Sequence, residues 1–136
     1  MKIAFLTAGG IAPCLSASIG RLITKYSDCN IDIEMIGYLH GYKGLLLGNS
    51  ISISKDVIKD IDILYQFGGS PIGNSRVKLS NIKDCIKKKY INKGEDPLEV
   101  ACQQLIKDNV NILHTIGGDD TNTTAAELIK YMSKKG

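Results

Sequence analysis

The stretch that decides the fold is Ile112-Leu113-His114-Thr115-Ile116-Gly117-Gly118-Asp119-Asp120-Thr121. Residues 112–116 form a short, mainly apolar run, which is typical of a strand buried in a parallel sheet. The glycine pair ends this strand, and apolar residues recur at helical spacing from about Asn122. The segment therefore predicts a strand, a tight turn and a helix in succession.

A second copy of this pattern opens the chain. Thr7-Ala8-Gly9-Gly10 matches Thr115-Ile116-Gly117-Gly118, and it follows the apolar run Ile3-Ala4-Phe5-Leu6. A helix is expected next, because Pro13 suits a first helical turn and apolar residues then build one face. The residues of this face are Leu15, Ile19, Leu22, Ile23 and Tyr26.

Amphipathic patterns predict three more helices and their inward faces. These helices start at Ser54, at Pro97 and near Asn122, and residues 70–79 are predicted to form a loop between the first two. The predicted inward residues are Val57, Ile58, Ile61 and Leu64 in the first helix, Leu98, Ala101, Leu105 and Ile106 in the second, and Ala125, Leu128, Ile129 and Met132 in the third.

The order of elements predicts the fold class. A further strand is expected from Ile31 to Gly37, followed by a glycine-punctuated loop up to Gly48 whose length suggests a working role. Alternating strands and helices indicate an α/β fold, doubly wound and Rossmann-like, with a mainly parallel sheet and helices on both faces. The sequence stops at Gly136, where such a sheet would supply its next strand. We therefore expect residues 1–136 to be one truncated, amino-terminal domain.

Composition limits the classes of protein to which the chain can belong. Of its 136 residues, 43% are hydrophobic and 23% are charged, which is typical of a soluble globular chain. No apolar run is long enough to cross a bilayer, and the first residues lack the features of a signal peptide. We therefore expect a cytoplasmic protein with no membrane partner.

Charge and cysteine content argue against nucleic acid, zinc and disulfides. The net charge of +3 is too small to indicate nucleic-acid binding, although five lysines cluster between residues 83 and 93. We interpret this cluster as a solvated helix face rather than an anion site. The four cysteines include no CxxC pair, so the sequence indicates neither a zinc site nor a disulfide framework.

The two Thr-x-Gly-Gly turns are candidate phosphate-binding elements. Ligands of open α/β sheets bind at the carboxyl ends of the strands, so both turns are expected at one edge of the sheet. The pairs Gly9-Gly10 and Gly117-Gly118 let backbone amides approach an anion, and the next helix offers free N–H groups to it. The alternative, that a pair only makes a tight turn, stays open for any single pair.

Two adjacent carboxylates, Asp119 and Asp120, stand at the predicted start of the last helix. A helix start needs one capping oxygen, so capping explains either aspartate but leaves the other as an exposed charge. Magnesium explains the pair better, since it takes carboxylate oxygens together with phosphate oxygens and water. The sequence therefore predicts a magnesium-assisted phosphate site.

Arg76 lies in a glycine-rich loop, where its guanidinium could hold phosphate oxygens in a fork. A surface salt bridge is the alternative interpretation. Cys14 follows the first glycine pair and is interpreted as a packed thiol. His40 and His114 lack metal-ligand spacing, and we assign no chemistry to them.

Four motifs occur in the order found in the phosphofructokinase family, which the chain resembles over essentially its whole length. They are residues 7–14 (TAGGIAPC), 41–45 (GYKGL), 68–76 (GGSPIGNSR) and 117–123 (GGDDTNT). The resemblance covers only the amino-terminal portion of the family's longer chain.

The resemblance implies a role for each part of the site. Gly10 and Arg76 would contact the phosphoryl donor, and Asp119 would hold a magnesium ion between donor and enzyme. Asp120 and Arg76 are the implied catalytic residues. The implied donor-binding residues are Gly9, Gly10, Arg76, Gly118, Asp120 and Thr121.

The resemblance distinguishes pyrophosphate from ATP as the donor through Asp120. ATP-using relatives have glycine at this place, which leaves room for the α-phosphate, whereas pyrophosphate-using members resemble this chain in having aspartate. Two like charges about 4 Å apart repel by roughly 4 kcal/mol at a protein-like dielectric, which is about a thousandfold in binding. We therefore expect Asp120 to exclude ATP.

The implied reaction is reversible phosphoryl transfer from pyrophosphate to the 1-hydroxyl of fructose 6-phosphate, catalysed mostly by positioning and charge neutralisation. The family's Thr-Ile-Asp-Asn-Asp loop, whose first aspartate is the base for the sugar hydroxyl, does not occur in these 136 residues. Most of the sugar-phosphate site is also missing. We therefore expect this chain to be inactive alone, and the complete protein to be an enzyme that forms a dimer or tetramer.

Other functions stay open from the sequence. An ATP-dependent phosphofructokinase is one alternative. Lipid and NAD kinases share the Gly-Gly-Asp tripeptide, but the other three motifs argue against them. A noncatalytic phosphate-binding or regulatory subunit is the alternative from a different functional class.

Overall fold

The computed structural model describes residues 1–9, 15–29, 32–53, 72–73 and 75–135. Within these ranges the chain forms four strands and five helices. The strands are β1 (Lys2–Thr7), β2 (Glu34–Tyr38), β3 (Ser50–Ser52) and β4 (Ile112–Ile116). The helices are α1 (Leu15–Ser27), α2 (Tyr42–Leu47), α3 (Ile82–Lys87), α4 (Pro97–Lys107) and α5 (Asp119–Lys135).

The described strands form one sheet in the order β3-β2-β1-β4. β1 pairs in parallel with β2 on one side and with β4 on the other, and only β3 runs antiparallel. The β1–β4 register pairs Ile3 with Ile112 and Thr7 with Ile116. The predicted α/β class with a mainly parallel sheet is confirmed, and the carboxyl ends of β1 and β4 lie side by side.

Two apolar layers cover the two faces of the sheet. Alternate side chains of β1 point to opposite faces, because a strand has a side-chain period of two. Ile3 and Phe5 pack with Ile19 and Ile23 of α1. Ala4 and Leu6 belong to the larger layer on the other face, which α2, α3, α4 and α5 cover with Leu45, Cys85, Ala101 and Leu128 among others. The prediction of helices on both faces is also confirmed.

The predicted loop up to Gly48 is wrong in part, because α2 (Tyr42–Leu47) lies within it. Tyr42, Leu45 and Leu46 recur at helical spacing and are all buried. Gly48 then ends α2 in the left-handed region, with φ +72°. Position 44, inside this helix, requires glycine, because a Cβ there would collide with backbone atoms of Leu39. The glycines therefore serve close packing here rather than a long loop.

Several predicted inward residues are exposed instead. Ile106 is 62% exposed and Ile129 is 64% exposed, and Met132 also lies on the surface. α5 begins at Asp119, earlier than the predicted start near Asn122. Only one stripe of this helix can face the sheet, and it carries two buried threonines besides Leu128. The sequence pattern assigned Ala125, Leu128, Ile129 and Met132 to the inner face, but the buried stripe is partly polar.

Other predicted elements agree with the structure. β1 and β4 cover the predicted apolar runs, α1 buries Ile19 and Ile23, and α4 begins at Pro97. The described part of residues 70–79 contains neither helix nor strand, as predicted. The helix predicted from Ser54 lies outside the described residues, and so does Ile31. Of the helices in the described ranges, none combines the length and apolar character needed to span a membrane.

Candidate functional site

The two glycine turns meet at one edge of the sheet. The N–H of Ala8 donates to the carbonyl oxygen of Ile116 at 3.0 Å, which extends the β1–β4 pairing beyond the strands. A Cβ atom on Gly9 would lie 3.9 Å from the backbone nitrogen of Gly118 and 3.6 Å from Oγ1 of Thr121. The first turn is therefore in van der Waals range of the start of α5.

A cavity of about 490 Å³ opens at this edge. All the described residues that the sequence analysis assigned to donor and metal binding line it, and Gly10 lies outside the described residues. These residues are Gly9, Arg76, Gly118, Asp119, Asp120 and Thr121. Ala8, Tyr42, Ser75, Val77, Lys78 and Thr124 complete the lining.

The glycines of the two turns have different structural tasks. Gly9 adopts φ +87°, which side-chain-bearing residues rarely reach. A Cβ on Gly117 would collide with the carbonyl oxygen of Ala8 and with Thr121, whereas a Cβ on Gly118 would meet no atom within 4 Å. Gly117 therefore permits close packing, and Gly118 leaves its side of the turn open.

The loop that carries Arg76 is tied to the end of β1 by hydrogen bonds. Oγ1 of Thr7 donates to the carbonyl of Gly73 at 2.9 Å, and the N–H of Gly9 donates to the carbonyl of Ser75 at 2.9 Å. The backbone N–H of His40 donates to the carbonyl of Ile72, also at 2.9 Å. These bonds explain how a loop far from the turns in sequence reaches the same cavity.

Arg76 is an exposed cation in the lining of the cavity. Among the residues that the structure describes, no carboxylate forms an ion pair with it. The alternative interpretation, a surface salt bridge, therefore finds no carboxylate partner for Arg76 in that part of the chain. Its guanidinium can offer paired N–H donors to phosphate oxygens.

Asp119 and Asp120 occupy the first turn of α5 and are both exposed. The carbonyl of Gly118 accepts the first helical bond, from the N–H of Asn122 at 3.2 Å, so Gly118 holds the capping position. In the described ranges, no backbone N–H donates to either carboxylate. Capping therefore does not explain the aspartates, and both remain available at a helix end whose dipole favours anions.

Lys78 is a site residue that the sequence analysis missed. Its Nζ atom lies 3.5 Å from Oδ2 of Asp120, and the two side chains are 52% and 79% exposed. The sequence places no basic residue beside the acidic pair, but the fold brings this lysine to it. The motif GGSPIGNSR ends two residues before Lys78, and this proximity is the signal that could have indicated the lysine.

Tyr42 also was not assigned to the site from the sequence. Its side chain is buried against the cavity, and its hydroxyl donates to the carbonyl oxygen of Thr121 at 3.0 Å. Burial raises the pKa of Tyr42 to about 12, so the phenol keeps its proton and can donate at neutral pH. The bond ties the start of α2 to the turn that carries the acidic pair.

The arrangement suits magnesium bound together with a phosphate ligand. Within the described ranges, no group of three or more His, Cys, Asp or Glu side chains could hold a metal ion by itself. Magnesium usually binds through one or two carboxylates and completes its shell with phosphate oxygens and water. Asp119, exposed in the lining and without an ion-pair partner in this part of the chain, fits the protein share of such a shell.

Residues 2–134 match the protein family described as Phosphofructokinase. The chain belongs to the phosphofructokinase family. The resemblance seen in its four motifs is thereby confirmed, and residues from all four motifs line the cavity.

Two curated relatives of this phosphofructokinase chain share the name pyrophosphate–fructose 6-phosphate 1-phosphotransferase. The one from Methylotuvimicrobium alcaliphilum is 56% identical over 133 residues, which are 98% of this chain and 32% of the relative. The one from Propionibacterium freudenreichii is 55% identical over 133 residues, which are 98% of this chain and 33% of the relative. The chain thus spans about a third of the length of these relatives.

A solved structure supports the phosphofructokinase fold. The crystal structure of a pyrophosphate-dependent phosphofructokinase from Marinobacter aquaeolei superposes with a TM-score of 0.79 at 20% sequence identity. The match covers 100% of this chain and 31% of that one. At this level of identity the likeness concerns the fold alone.

Three other residues considered in the sequence lie elsewhere or outside the described ranges. Cys14 belongs to the undescribed residues, and neither His40 nor His114 lines the cavity. His114 instead accepts or donates a 2.6 Å hydrogen bond with the hydroxyl of Tyr26 and stacks on Phe5. Burial lowers the pKa of His114 below its usual value of 6.5. It belongs to the packing between α1 and the sheet.

Proposed function

We propose that the complete protein transfers a phosphoryl group from pyrophosphate to the 1-hydroxyl of fructose 6-phosphate. The products are fructose 1,6-bisphosphate and phosphate, and the reaction is reversible. The proposal takes its substrates from the shared name of relatives that are 55% and 56% identical to this chain. It takes its site from the cavity between the two glycine turns.

The observation that carries the proposal is the position of Asp120 beside Asp119 in the lining of one cavity with Arg76. A carboxylate at this place repels the additional phosphate of a nucleotide, and it leaves room for a compact donor such as pyrophosphate. The cationic side chains of Arg76 and Lys78 balance this negative charge on the loop side.

Each residue of the proposed site has a role in binding or positioning the donor. Asp119 would hold Mg²⁺, which would shield the charge of the donor oxygens. Arg76 would hold the donor through charge-assisted hydrogen bonds, and Asp120 would border it and exclude the longer nucleotide. The backbone N–H groups of both turns and of the helix start would contact the donor phosphates. The residues that supply these contacts are Gly9, Gly10, Gly118 and Thr121.

Residues 1–136 would form the donor-binding domain of this enzyme, and the rest of the protein would supply the sugar-phosphate site and the catalytic base. On this proposal the 136-residue chain alone has no turnover. The complete enzyme would act in the cytoplasm as a homodimer or homotetramer.

A donor comparison tests the proposal. The full-length protein is assayed with fructose 6-phosphate and Mg²⁺, with either pyrophosphate or ATP as the donor. We expect turnover with pyrophosphate and little with ATP. A clear preference for ATP would favour the alternative of an ATP-dependent phosphofructokinase, and no turnover with either donor would favour a noncatalytic phosphate-binding subunit.

A further inference from the structure

Ser75 lines the proposed donor cavity and has an unsatisfied hydroxyl. Its Oγ atom is buried and has no hydrogen-bond partner, and it is the only side-chain atom of this kind in the described part of the chain. The residue itself lines the cavity between Gly9 and Arg76. Native proteins pair almost all buried polar atoms, so an exception at a ligand cavity needs an explanation.

The backbone of Ser75 already has its structural task. Its carbonyl oxygen accepts the 2.9 Å bond from the N–H of Gly9, which ties the loop to the first glycine turn. The hydroxyl takes no part in that bond, and an alanine would support the same backbone contact. The hydroxyl of Ser75 therefore makes no hydrogen bond that stabilises the fold.

We infer that the Ser75 hydroxyl is a further donor-binding group, which donates a hydrogen bond to a phosphate oxygen of pyrophosphate. This inference rests on the proposed function of the cavity. On this inference the buried hydroxyl reaches the donor by rotation about the Cα–Cβ bond when the donor binds, and such rotations are fast. In the bound state the hydroxyl would supplement the charged contacts of Arg76 with a neutral, short-range one.

Calorimetric binding of magnesium pyrophosphate to the full-length protein tests the inference. A hydrogen bond to a charged group is worth roughly tenfold or more in affinity, so Ser75→Ala should raise the Kd by at least about tenfold. Ser80→Ala is the matched control, because Ser80 is exposed in the same loop and does not line the cavity. It should leave the Kd unchanged.

Thermal unfolding separates a binding role from a structural one. If the hydroxyl serves only the ligand, Ser75→Ala should not lower the Tm of the ligand-free protein, since it removes an unpaired buried polar atom. Equal Kd values for the wild type and Ser75→Ala would overturn the inference while leaving the proposed function intact. A raised Kd of Ser75→Ala accompanied by a lowered Tm would also overturn the inference. A wild-type protein that binds no pyrophosphate would overturn both proposals.

Discussion

Lys78 and Asp120 form an ion pair in the lining of the cavity, with Nζ 3.5 Å from Oδ2. Both side chains are largely exposed, so the attraction between them is worth at most about 1 kcal/mol. The positive charge of Lys78 nevertheless changes the electrostatic potential around Asp120. The neighbouring ammonium and the solvent both reduce the repulsion that Asp120 exerts on a nucleotide. The preference between pyrophosphate and ATP therefore depends on Lys78 as well as on Asp120.

Asp120→Gly should improve the use of ATP relative to pyrophosphate in the full-length protein. At 4 Å the repulsion removed lies between about 1 kcal/mol in water and about 4 kcal/mol near a protein surface. The ratio of kcat/KM values should therefore shift by between about fivefold and about a thousandfold, with the exposure of Asp120 favouring the lower part of this range. Steady-state assays with both donors measure it. Asp28→Gly, at an exposed position after α1, should leave the ratio unchanged, and an unchanged ratio in Asp120→Gly would refute the exclusion argument.

Lys78→Met should weaken pyrophosphate binding without disturbing the fold. The substitution removes one half-exposed cation from the donor cavity, and we expect KM for pyrophosphate to rise by roughly fivefold. The effect should shrink as ionic strength increases, because salt screens exposed charges. Lys83→Met, in the exposed lysine cluster, serves as the control. Equal KM values for the two variants would contradict this role of Lys78.

Asp119→Asn should weaken the magnesium binding that the proposed function requires. The variant loses the charge of the carboxylate, and charge-assisted contacts are worth roughly tenfold to a hundredfold in affinity. We expect the magnesium concentration for half-maximal activity to rise by such a factor. The comparison variant is Asp32→Asn, which changes an exposed aspartate just before β2, at the amino edge of the sheet. A titration curve identical to that of the wild type would remove Asp119 from the metal site.

Gly117→Ala and Gly118→Ala should separate packing from binding. The added methyl group at position 117 collides with Ala8 and Thr121, so we expect a loss of about 1–3 kcal/mol in the free energy of unfolding. At position 118 it meets open space, and only the capping preference for glycine is lost, under about 1 kcal/mol. Denaturant unfolding measures both losses. Gly118→Ala should instead weaken pyrophosphate binding, and equal stability of the two variants would contradict the packing difference.

His114 should make stability sensitive to acid. Its pKa is lowered in the fold by burial, so the unfolded chain binds a proton more readily than the folded one. The contribution of the neutral ring is complete above the usual pKa of 6.5 and is lost as the pH falls below it. Protonation would also prevent Nε2 from accepting a bond from the hydroxyl of Tyr26.

Unfolding of the full-length protein at a series of pH values measures this effect. Comparison with His114→Gln isolates the histidine, because other titrating groups are common to both proteins. The difference in unfolding free energy between the two proteins should be constant above about pH 7. At lower pH the wild type should lose stability relative to His114→Gln. A constant difference throughout would contradict the prediction.

The sequence was a sufficient guide wherever short-range patterns decide the structure. The apolar runs of β1 and β4, the glycine pairs that end them and the start of α4 at Pro97 depend on residues close together in the chain. The family's four motifs likewise predicted residues that line a single cavity, because motif residues keep their order and spacing. Five of the six cavity residues assigned in advance follow β4 or β1 directly.

Tertiary structure decided what the local pattern leaves undetermined. Residues 42–47 form a helix with most of its apolar side chains buried in the larger layer, and the orientation of α5 turned threonines inward and Ile129 outward. The approach of Lys78 to Asp120 and of Tyr42 to Thr121 joins segments that are distant in sequence. Such contacts depend on how elements stack on the sheet, since burial, hydrogen bonding and charge act between neighbours in space, and local periodicity contains no information about them.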